Sequence, residues 1–485
     1  MKKNILCILG VISLLGGLVS CGDNISATST SDSTIVSDST TDPVTIRFWH
    51  TFGKTVTNGI QKKIDSFEKA VKDNEGVDVD IEMEYQGSYD DIVTKVEKGF
   101  ATSNTPTITV AYPDHVAEYL DSESTPGEYV VNLDEYMDDE DIGFNKEAYL
   151  GDGSKDDFVS SFMTEGENYV SEGTYSLPMM KSTEVMFYNE DLLSSILSDY
   201  APGNSSSAQI KRYMSNISWD DFMDLCKYIN DYKAVYSDSI KYSCIYDSDS
   251  NLFISHSYQK DIPFISIKDG EGSVDFNNDA AKDMVSKFKQ NYDDGCFTTK
   301  EILGEYGSNY FKEAQSVFSI GSSGGAAYNM PTNSTFTFEV CKVPAENDNP
   351  LYVTQGPTLA LLKSKNYTTE ENSQKVKYAW KFLKYITNTE NNADLCFNYS
   401  QGYVPVRESS YEGDDYQEII DAQDDFAKNI EVVANEIDGK YLTTACFAGS
   451  ATARNQVGGI LANVIAGDSV AEAFDYAYGQ TTLAM

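Results

Sequence analysis

A strand pattern between two helical patterns constrains the fold of this chain most strongly. Within residues 77–85, apolar side chains alternate with Asp and Glu, the two-residue period of a strand with one face in water. Apolar residues within 56–71 and 92–100 instead recur at three- and four-residue spacing, as on one face of a helix. Short apolar strands at 44–52 and 107–111 complete a β-α-β-α-β order. This order predicts an α/β fold with parallel strands joined by helical crossovers.

Later segments repeat the alternation of strands and helices. Two strand-like pieces flank Pro178, and a helix begins at Ser218 with the capping sequence Ser-Trp-Asp-Asp. An apolar strand at 315–321 precedes a Gly/Ser cluster at 321–325. The remaining helical patterns lie at 376–386, 452–466 and 470–478. With 485 residues, the chain is long enough for two lobes of ordinary size.

The first 42 residues have the organisation of an export signal followed by a tether. Two lysines precede an apolar run at 5–19, which is too short to span ~30 Å of hydrocarbon as a permanent helix. The ending Leu-Val-Ser-Cys resembles a bacterial lipobox, which predicts a signal peptide at 1–20 and attachment of lipid (palmitate) to Cys21. Ordinary secretion with a plain cleavage site is the alternative. Residues 21–42 are rich in Ser, Thr and Asp, which predicts a flexible tether with an end-to-end distance of about 25 Å.

Composition excludes several classes of partner and site. The formal net charge is −40, so the field of the protein repels nucleic acid and anionic lipid headgroups. Beyond the signal, the sequence contains no run of 18 apolar residues, and we expect no other contact with the membrane than the lipid anchor. The chain has three histidines and no Cys-x-x-Cys pair, a pattern that matches no zinc or iron–sulfur motif. We therefore predict no metal and no cofactor.

The Gly/Ser cluster requires a test of the enzyme hypothesis. Gly321-Ser322-Ser323-Gly324-Gly325 fits the Gly-x-Ser-x-Gly nucleophile elbow, because it follows a predicted strand. The α/β-hydrolase order is Ser, then acid, then His, and no histidine follows Ser323 in the sequence. This triad is therefore excluded. A pair of catalytic carboxylates, as in a surface glycosidase, stays an open alternative among 76 acidic residues, and so does an adhesin.

Several motifs in order resemble one protein family. The segment at 45–53, TIRFWHTFG, resembles the start of family 1 solute-binding proteins of ABC importers. Further motifs follow in the order of this family: NTPTITVAYPD (104–114), GTYSLPMMKSTEVMFYNEDLL (173–193), SWDDFMDLCKYI (218–229), NYFKEAQSVFSIGSSG (309–324), VKYAWKFLKYITNTEN (376–391) and GYVPVRESSY (402–411). The resemblance covers nearly all of 43–485. It implies a periplasmic-binding-protein-like II fold, in which two α/β lobes are joined by crossing strands and enclose a ligand cleft. The implied division places 43–180 and 322–388 in lobe I, and 181–321 and 389–485 in lobe II.

Within this family the chain resembles most the branch that binds glycerol-3-phosphate and sugars, through FWHTFG and YQGSYDD (85–91). The resemblance implies these ligand contacts: Tyr89, Asp114, Ser182, Tyr246, Ser322, Ser323, Gly324, Gly356, Tyr403 and Arg454. Two positions depart from the branch. Its cleft glutamate falls at Pro113, with Asp114 beside it, and its cleft tryptophan falls near Tyr246 and Asp247.

Local sequence context supports two parts of this predicted site, the Gly/Ser cluster and Arg454. Backbone N–H groups of the Gly/Ser cluster would point at an anion or at sugar hydroxyls if a helix follows, although a plain turn explains the same composition. Arg454 lies near the start of a predicted helix, and its planar fork suits phosphate or carboxylate. A solvated or structural arginine is the alternative.

The resemblance implies a binding protein rather than an enzyme. It would be a monomer held by lipid on the extracellular face of the cell membrane. It would capture a sugar or a glycerol-3-phosphate-like solute and deliver it to the permease subunits of an ABC transporter, without a cofactor.

Replacement of Cys21 tests the anchor. We expect Cys21→Ser to move the protein from the membrane fraction to the soluble fraction or the medium, because the only predicted attachment is lost. Fractionation with and without detergent measures the shift, and unchanged melting of the extracted protein controls for folding. A variant that still requires detergent for extraction would contradict lipidation at Cys21.

Overall fold

A computed structural model describes residues 42–485 apart from 347–348, 401, 423 and 437–439. The predicted signal peptide, Cys21 and nearly all of the tether lie outside these described residues. None of the helices within the described part has the length and hydrophobicity needed to cross a bilayer.

The first sheet contains the strands that the opening pattern predicts. Its strands are β1 (Val44–His50), β2 (Val79–Tyr85), β3 (Ile108–Ala111), β4 (Leu177–Pro178) and β13 (Thr358–Leu361). Their order is β2-β1-β3-β13-β4, with β1 parallel to both β2 and β3, and with β13 antiparallel to β3 and β4. The predicted parallel crossovers are therefore confirmed, and a late strand completes the sheet.

The second sheet comes from the middle of the chain. Its strands are β5 (Glu184–Asn189), β6 (Tyr242–Tyr246), β9 (Thr298–Thr299), β10 (Ser316–Ser322) and β11 (Phe338–Lys342). Their order is β11-β5-β10-β6-β9, with β10 parallel to β6 and antiparallel to β5. Four further strands form two small ladders: β7 (Ile265–Lys268) with β8 (Glu271–Val274), and β12 (Tyr352–Val353) with β14 (Tyr441–Leu442).

Helices connect and cover the sheets. Those with at least eight residues are α1 (Lys54–Glu75), α2 (Tyr89–Thr102), α3 (Pro113–Asp121), α6 (Glu190–Tyr200), α7 (Ser207–Met214), α8 (Trp219–Tyr236), α9 (Asp249–Gln259), α10 (Asp279–Asp293), α14 (Thr369–Ile386), α16 (Asp414–Ala422), α18 (Ser450–Ala466) and α19 (Val470–Leu483). The shorter ones are α4 (Asp134–Met137), α5 (Ser160–Glu165), α11 (Lys300–Leu303), α12 (Ser308–Phe311), α13 (Ala326–Asn329), α15 (Thr389–Asp394) and α17 (Asp425–Glu431).

Local sequence explains where the helices begin. Ser88 accepts a hydrogen bond from the backbone of Asp91 (3.2 Å), and the Asp91 carboxylate accepts one from the backbone of Ser88 (2.8 Å), a complete capping box for α2. Ser218 caps α8 by accepting a hydrogen bond from the Asp221 backbone at 3.2 Å. The start of α8 agrees with the capping sequence predicted at Ser218, and α2 covers the helical pattern predicted within 92–100.

The chain passes from the first sheet to the second between β4 and β5. In this crossing, Lys181 and Val404 exchange two backbone hydrogen bonds of 3.1 and 2.7 Å. Ser182 exchanges two more with Gln355, of 3.0 and 2.8 Å. Segments that are distant in sequence therefore run side by side through the middle of the protein.

One strand departs from the predicted division into lobes. β11 falls in the range predicted for lobe I, yet it pairs along its whole length with β5 of the second sheet. Antiparallel pairing at this edge satisfies the backbone groups of both strands, so the chain returns to the first sheet only between β11 and β13. The other lobe boundaries stay a prediction.

Gly356 lies beside the crossing and has a φ of 97°. A Cβ built there would meet the Met180 carbonyl oxygen at 2.4 Å, whereas Gly203, with the same φ, has open space around it. We expect Gly203→Ala to lower the free energy of unfolding by about 1 kcal/mol through backbone strain. Gly356→Ala should lower it by about 2–5 kcal/mol, since close packing adds to the strain. Urea unfolding of both variants measures the difference, and equal losses would contradict the close approach.

Candidate ligand-binding site

A cavity of about 410 Å³ opens between the carboxyl ends of the strands of the two sheets. The segment after β3 contributes Tyr112 and Asp114, and the end of β10 contributes Ser322 and the loop that follows it. Crevices outside the carboxyl ends of strands are the usual ligand sites of open α/β sheets. The volume lies in the range typical of small-molecule sites.

Most of the predicted contacts meet in this cavity. Seven of the ten line it: Asp114, Ser182, Ser322, Gly324, Gly356, Tyr403 and Arg454. They come from the start of α3, the crossing, the end of β10 and its loop, the segment before β13, the segment around Tyr403, and α18. The fold therefore brings together residues that are up to 340 positions apart. Their role in binding a ligand stays a prediction.

The other three predicted contacts lie behind the cavity wall. Tyr246 is buried in the core, its hydroxyl donates to Glu184 Oε2 at 2.5 Å, and it cannot stack on a ligand in this arrangement. Ser323 is buried too, and its backbone N–H donates to the Thr183 carbonyl at 2.8 Å. Tyr89 stacks on Tyr112 with the ring centroids 4.2 Å apart. These three side chains therefore support the wall instead of lining it.

The Gly/Ser loop packs closely against Tyr403. A Cβ on Gly324 would lie 2.9 Å from the Tyr403 ring, so only glycine allows this approach. The Gly324 N–H donates to Ser322 Oγ at 3.3 Å within the loop. Ser322 Oγ and Ser182 Oγ lie 3.3 Å apart, which places two hydroxyl groups side by side on the wall.

The cavity contains one cationic group without an ion pair. Arg454 lines the wall and donates through Nη2 to Asn251 Oδ1. Among the described residues, no carboxylate oxygen lies within 4.0 Å of the Arg454 guanidinium. Asp114 lines the same cavity and accepts a hydrogen bond from the backbone of His115 at 3.0 Å. A positive and a negative group are both available to a solute.

A buried ion pair joins the cavity wall to the crossing. Lys181 of the crossing binds Glu165, and their side chains are 0% and 5% exposed. Burial raises the pKa of Glu165, and Lys181 opposes this shift by favouring the carboxylate. Lys181 Nζ also lies 3.5 Å from the Gly356 carbonyl oxygen. The pair thereby holds three segments of the wall together.

Two tyrosines give the cavity neutral aromatic faces. Burial raises the pKa of Tyr403 to about 12 and also raises that of Tyr112. Both phenols therefore stay protonated at neutral pH and can donate hydrogen bonds or stack on a sugar ring. Among the described residues, no group of three or more His, Cys, Asp or Glu side chains is arranged to hold a metal ion.

Sequence reasoning missed two important residues of the wall. Tyr112 stands directly after a predicted strand and before a proline, a position that could have indicated it. Glu165 ends a six-residue helix, and nothing in its local sequence sets it apart from the other acidic residues. Only its contact with Lys181 reveals it.

Comparison with known proteins identifies a family that matches this chain. The model of a family described as bacterial extracellular solute-binding protein matches residues 62–423. No sequence among curated proteins gives a significant match.

Solved structures show the same fold. UgpB from Mycobacterium tuberculosis, in complex with glycerophosphocholine, is 16% identical, with a TM-score of 0.66 over 91% of this chain and 98% of that chain. The cyclic α-maltosyl-1,6-maltose binding protein from Arthrobacter globiformis is also 16% identical, with a TM-score of 0.64 over 91% and 99%. Lmo0181 from Listeria monocytogenes, in complex with cycloalternan, is 13% identical, with a TM-score of 0.65 over 91% and 98%. The predicted periplasmic-binding-protein-like fold is confirmed.

The Lys181–Glu165 pair can be tested by a double-mutant cycle. We expect Lys181→Met to lower the free energy of unfolding by about 3–5 kcal/mol, because it leaves a buried carboxylate without its partner. Adding Glu165→Leu should restore much of this loss, since it removes the unpaired charge. Denaturant unfolding of the two single variants and the double variant measures the coupling. Losses that simply add would contradict the pairing.

Proposed function

The chain belongs to the family of bacterial extracellular solute-binding proteins, and we propose that it captures a sugar or a glycerol-3-phosphate-like solute in the cavity between its sheets. It would deliver this solute to the permease subunits of an ABC transporter. The observation that carries the proposal is the combination, in one cavity, of unpaired Arg454 with hydroxyl and neutral aromatic groups.

The chemistry of the wall suits a polyhydroxylated solute. Ser182 and Ser322 can exchange hydrogen bonds with hydroxyl groups, and Tyr112 and Tyr403 can pack against the apolar face of a sugar ring. Arg454 adds a charge-assisted bond for a phosphate group. The ligands of two similar structures, glycerophosphocholine and cycloalternan, belong to the same two chemical classes.

A catalytic role has less support. Glu165 is bound by Lys181 in a buried ion pair, so its carboxylate is engaged by the protein itself instead of facing a solute alone. Ser323 of the nucleophile-elbow motif is buried away from the cavity. The family consists of solute-binding proteins, which supports capture without turnover over a glycosidase or an adhesin.

Closure around the solute would complete the cycle. We expect the two sheets and their helices to move as lobes about the crossing, burying the solute and presenting both lobes to the permease. The sequence supports attachment through lipid on Cys21, with the body acting as a monomer on the extracellular face of the membrane.

Substitution of Arg454 separates the two classes of solute. A thermal-shift screen of sugars, polyols and their phosphates first identifies the ligand, since binding to the folded state raises its stability. If a phosphate ester binds, Arg454→Ala should weaken it roughly 10- to 150-fold, because a hydrogen bond to a charged group contributes about 1.5–3 kcal/mol. Binding of a neutral oligosaccharide should change much less.

Isothermal titration measures both effects, with Arg212→Ala as the matched control because Arg212 is exposed on α7, outside the cavity lining. Equal affinity of wild type and Arg454→Ala for a phosphate ester would contradict the role of Arg454. Absence of any bound sugar or phosphate in the screen would contradict the proposed class of solute.

A further inference from the structure

A buried polar cluster lies behind Arg454. Glu184 begins β5, Tyr246 ends β6, Asn251 lies in the first turn of α9, and Arg454 lies in α18. Glu184, Tyr246 and Asn251 are each at most 3% exposed, whereas Arg454 reaches the cavity. Asn251 contacts Arg454 directly, and Tyr246 binds Glu184, whose carboxyl lies near enough to be affected by the charge of Arg454.

Hydrogen bonds orient Arg454 through Asn251. The guanidinium donates to Asn251 Oδ1, and the Asn251 backbone N–H donates to Ser248 Oγ at 3.2 Å, in the cap of α9. Asn251 is fully buried, so its amide has a fixed place. A side chain held in this way pays less conformational entropy when it binds a ligand.

Glu184 forms no ion pair with a cationic side chain of the described residues. Its Oε2 accepts the Tyr246 hydroxyl, but neither Glu184 Oε1 nor Asn251 Nδ2 makes a hydrogen bond of ordinary geometry. Burial raises the pKa of Glu184 to about 8, and this shift is opposed by Tyr246 and Asn251 and, less strongly, by the nearby charge of Arg454. The carboxyl is therefore mostly neutral at pH 7, and the positive charge of Arg454 is left for a solute.

The other groups around Glu184 keep one charge state above neutrality. Asp247, after β6, and Asp249, on α9, have a pKa raised to about 6 by burial, so both are ionised above pH 7. Burial raises the pKa of Tyr246 far above its usual value, which keeps the phenol neutral. The neighbouring strands contribute Ser322, opposite Glu184, and Lys342, opposite Val185. Among Glu184, Tyr246, Asp247 and Asp249, only Glu184 has its pKa between about pH 7 and 9.5.

We propose that Glu184 and Asn251 are positioning residues for Arg454: together they hold the guanidinium toward the cavity while Glu184 is neutral, and ionised Glu184 draws it back. Binding of an anionic solute then weakens in alkaline solution, whereas binding of a neutral sugar does not. This inference rests on the proposed function, since it requires that the solute occupies this cavity. By linkage, an anion bound to Arg454 favours proton uptake by Glu184.

Titration of a phosphodiester tests the proposal with ligand. The phosphodiester group of glycerophosphocholine keeps one negative charge throughout this pH range, beside a trimethylammonium charge that does not titrate, and maltose serves as the probe without an anionic group. We expect the Kd of wild type for glycerophosphocholine to rise roughly three- to tenfold between pH 7 and 9.5. A rise of this size follows if the pKa of Glu184 differs by up to about one unit between the ligand-free and the ligand-bound protein. Glu184→Gln should match wild type at pH 7 and lose the pH dependence, because the amide imitates the neutral carboxyl.

Glu118→Gln is the matched control. Burial raises the pKa of Glu118 to about 7, and its carboxylate accepts a hydrogen bond from the Gly449 backbone instead of facing Glu184. This variant should keep the pH dependence above pH 8. The same slope in wild type and Glu184→Gln, or its loss in Glu118→Gln, would overturn the proposal.

Unfolding experiments test the coupling without any ligand. The pKa of folded Glu184 exceeds that of the unfolded chain, so its contribution to stability is present in acid and is lost as the pH rises toward 8. The difference in melting temperature between Glu184→Gln and wild type should therefore shift in favour of the variant between about pH 5 and 8, and then stay constant. In an Arg454→Ala background, this gain should continue to higher pH, because the opposing charge has been removed.

The two sets of measurements separate the possible failures. An unchanged stability profile in the Arg454→Ala background overturns the coupling of Glu184 to Arg454, whatever the ligand. If the profiles behave as expected but wild type binds maltose and not glycerophosphocholine, the role of Arg454 toward anions is overturned and the proposed capture of a sugar stands. If the screen finds no sugar or phosphate ligand at all, the proposed function fails, while the coupling is still decided by the stability profiles.

Discussion

The backbone ladder at the crossing is the constraint on which the site depends. Lys181 and Ser182 pair with Val404 on one side and Gln355 on the other, so three distant segments share one narrow passage. The buried Lys181–Glu165 ion pair sits in this passage and reaches the cavity wall. Removal of one partner would leave an uncompensated charge, which makes the pair costly to break. This ladder keeps the wall residues from the three segments in register.

Because the protein is strongly acidic, Arg454 matters more for attracting an anionic solute than a single arginine would in a basic protein. The formal net charge of −40 repels anions at long range. A phosphate-bearing solute must therefore gain its attraction from a local group, and Arg454 has no carboxylate within ion-pair distance among the described residues. A neutral Glu184 behind it is consistent with this need, since an ionised one would cancel the charge that faces the cavity.

Motif matching selected residues that line one cavity, but it did not predict the direction of every side chain. Tyr246 falls where the family predicts a cleft aromatic, yet it ends β6 on the side that packs toward the core and binds Glu184. Successive residues of a strand point to opposite faces. A shift of one position along the strand therefore moves a side chain from the cavity to the packed side behind it. Tyr112, which stacks on the predicted Tyr89, occupies the place that Tyr89 was expected to fill.

The sequence by itself determined the elements and their order, because alternation, helical spacing and capping boxes arise from interactions between residues a few positions apart. The ordered motifs also identified the family and seven residues of the cavity wall. Only the tertiary structure decided that β11 joins the second sheet, that Glu165 pairs with Lys181, and that Asn251 orients Arg454 across 203 positions. The physical reason is that burial and charge pairing depend on which distant segments the fold brings together, and no local pattern of residues records that choice.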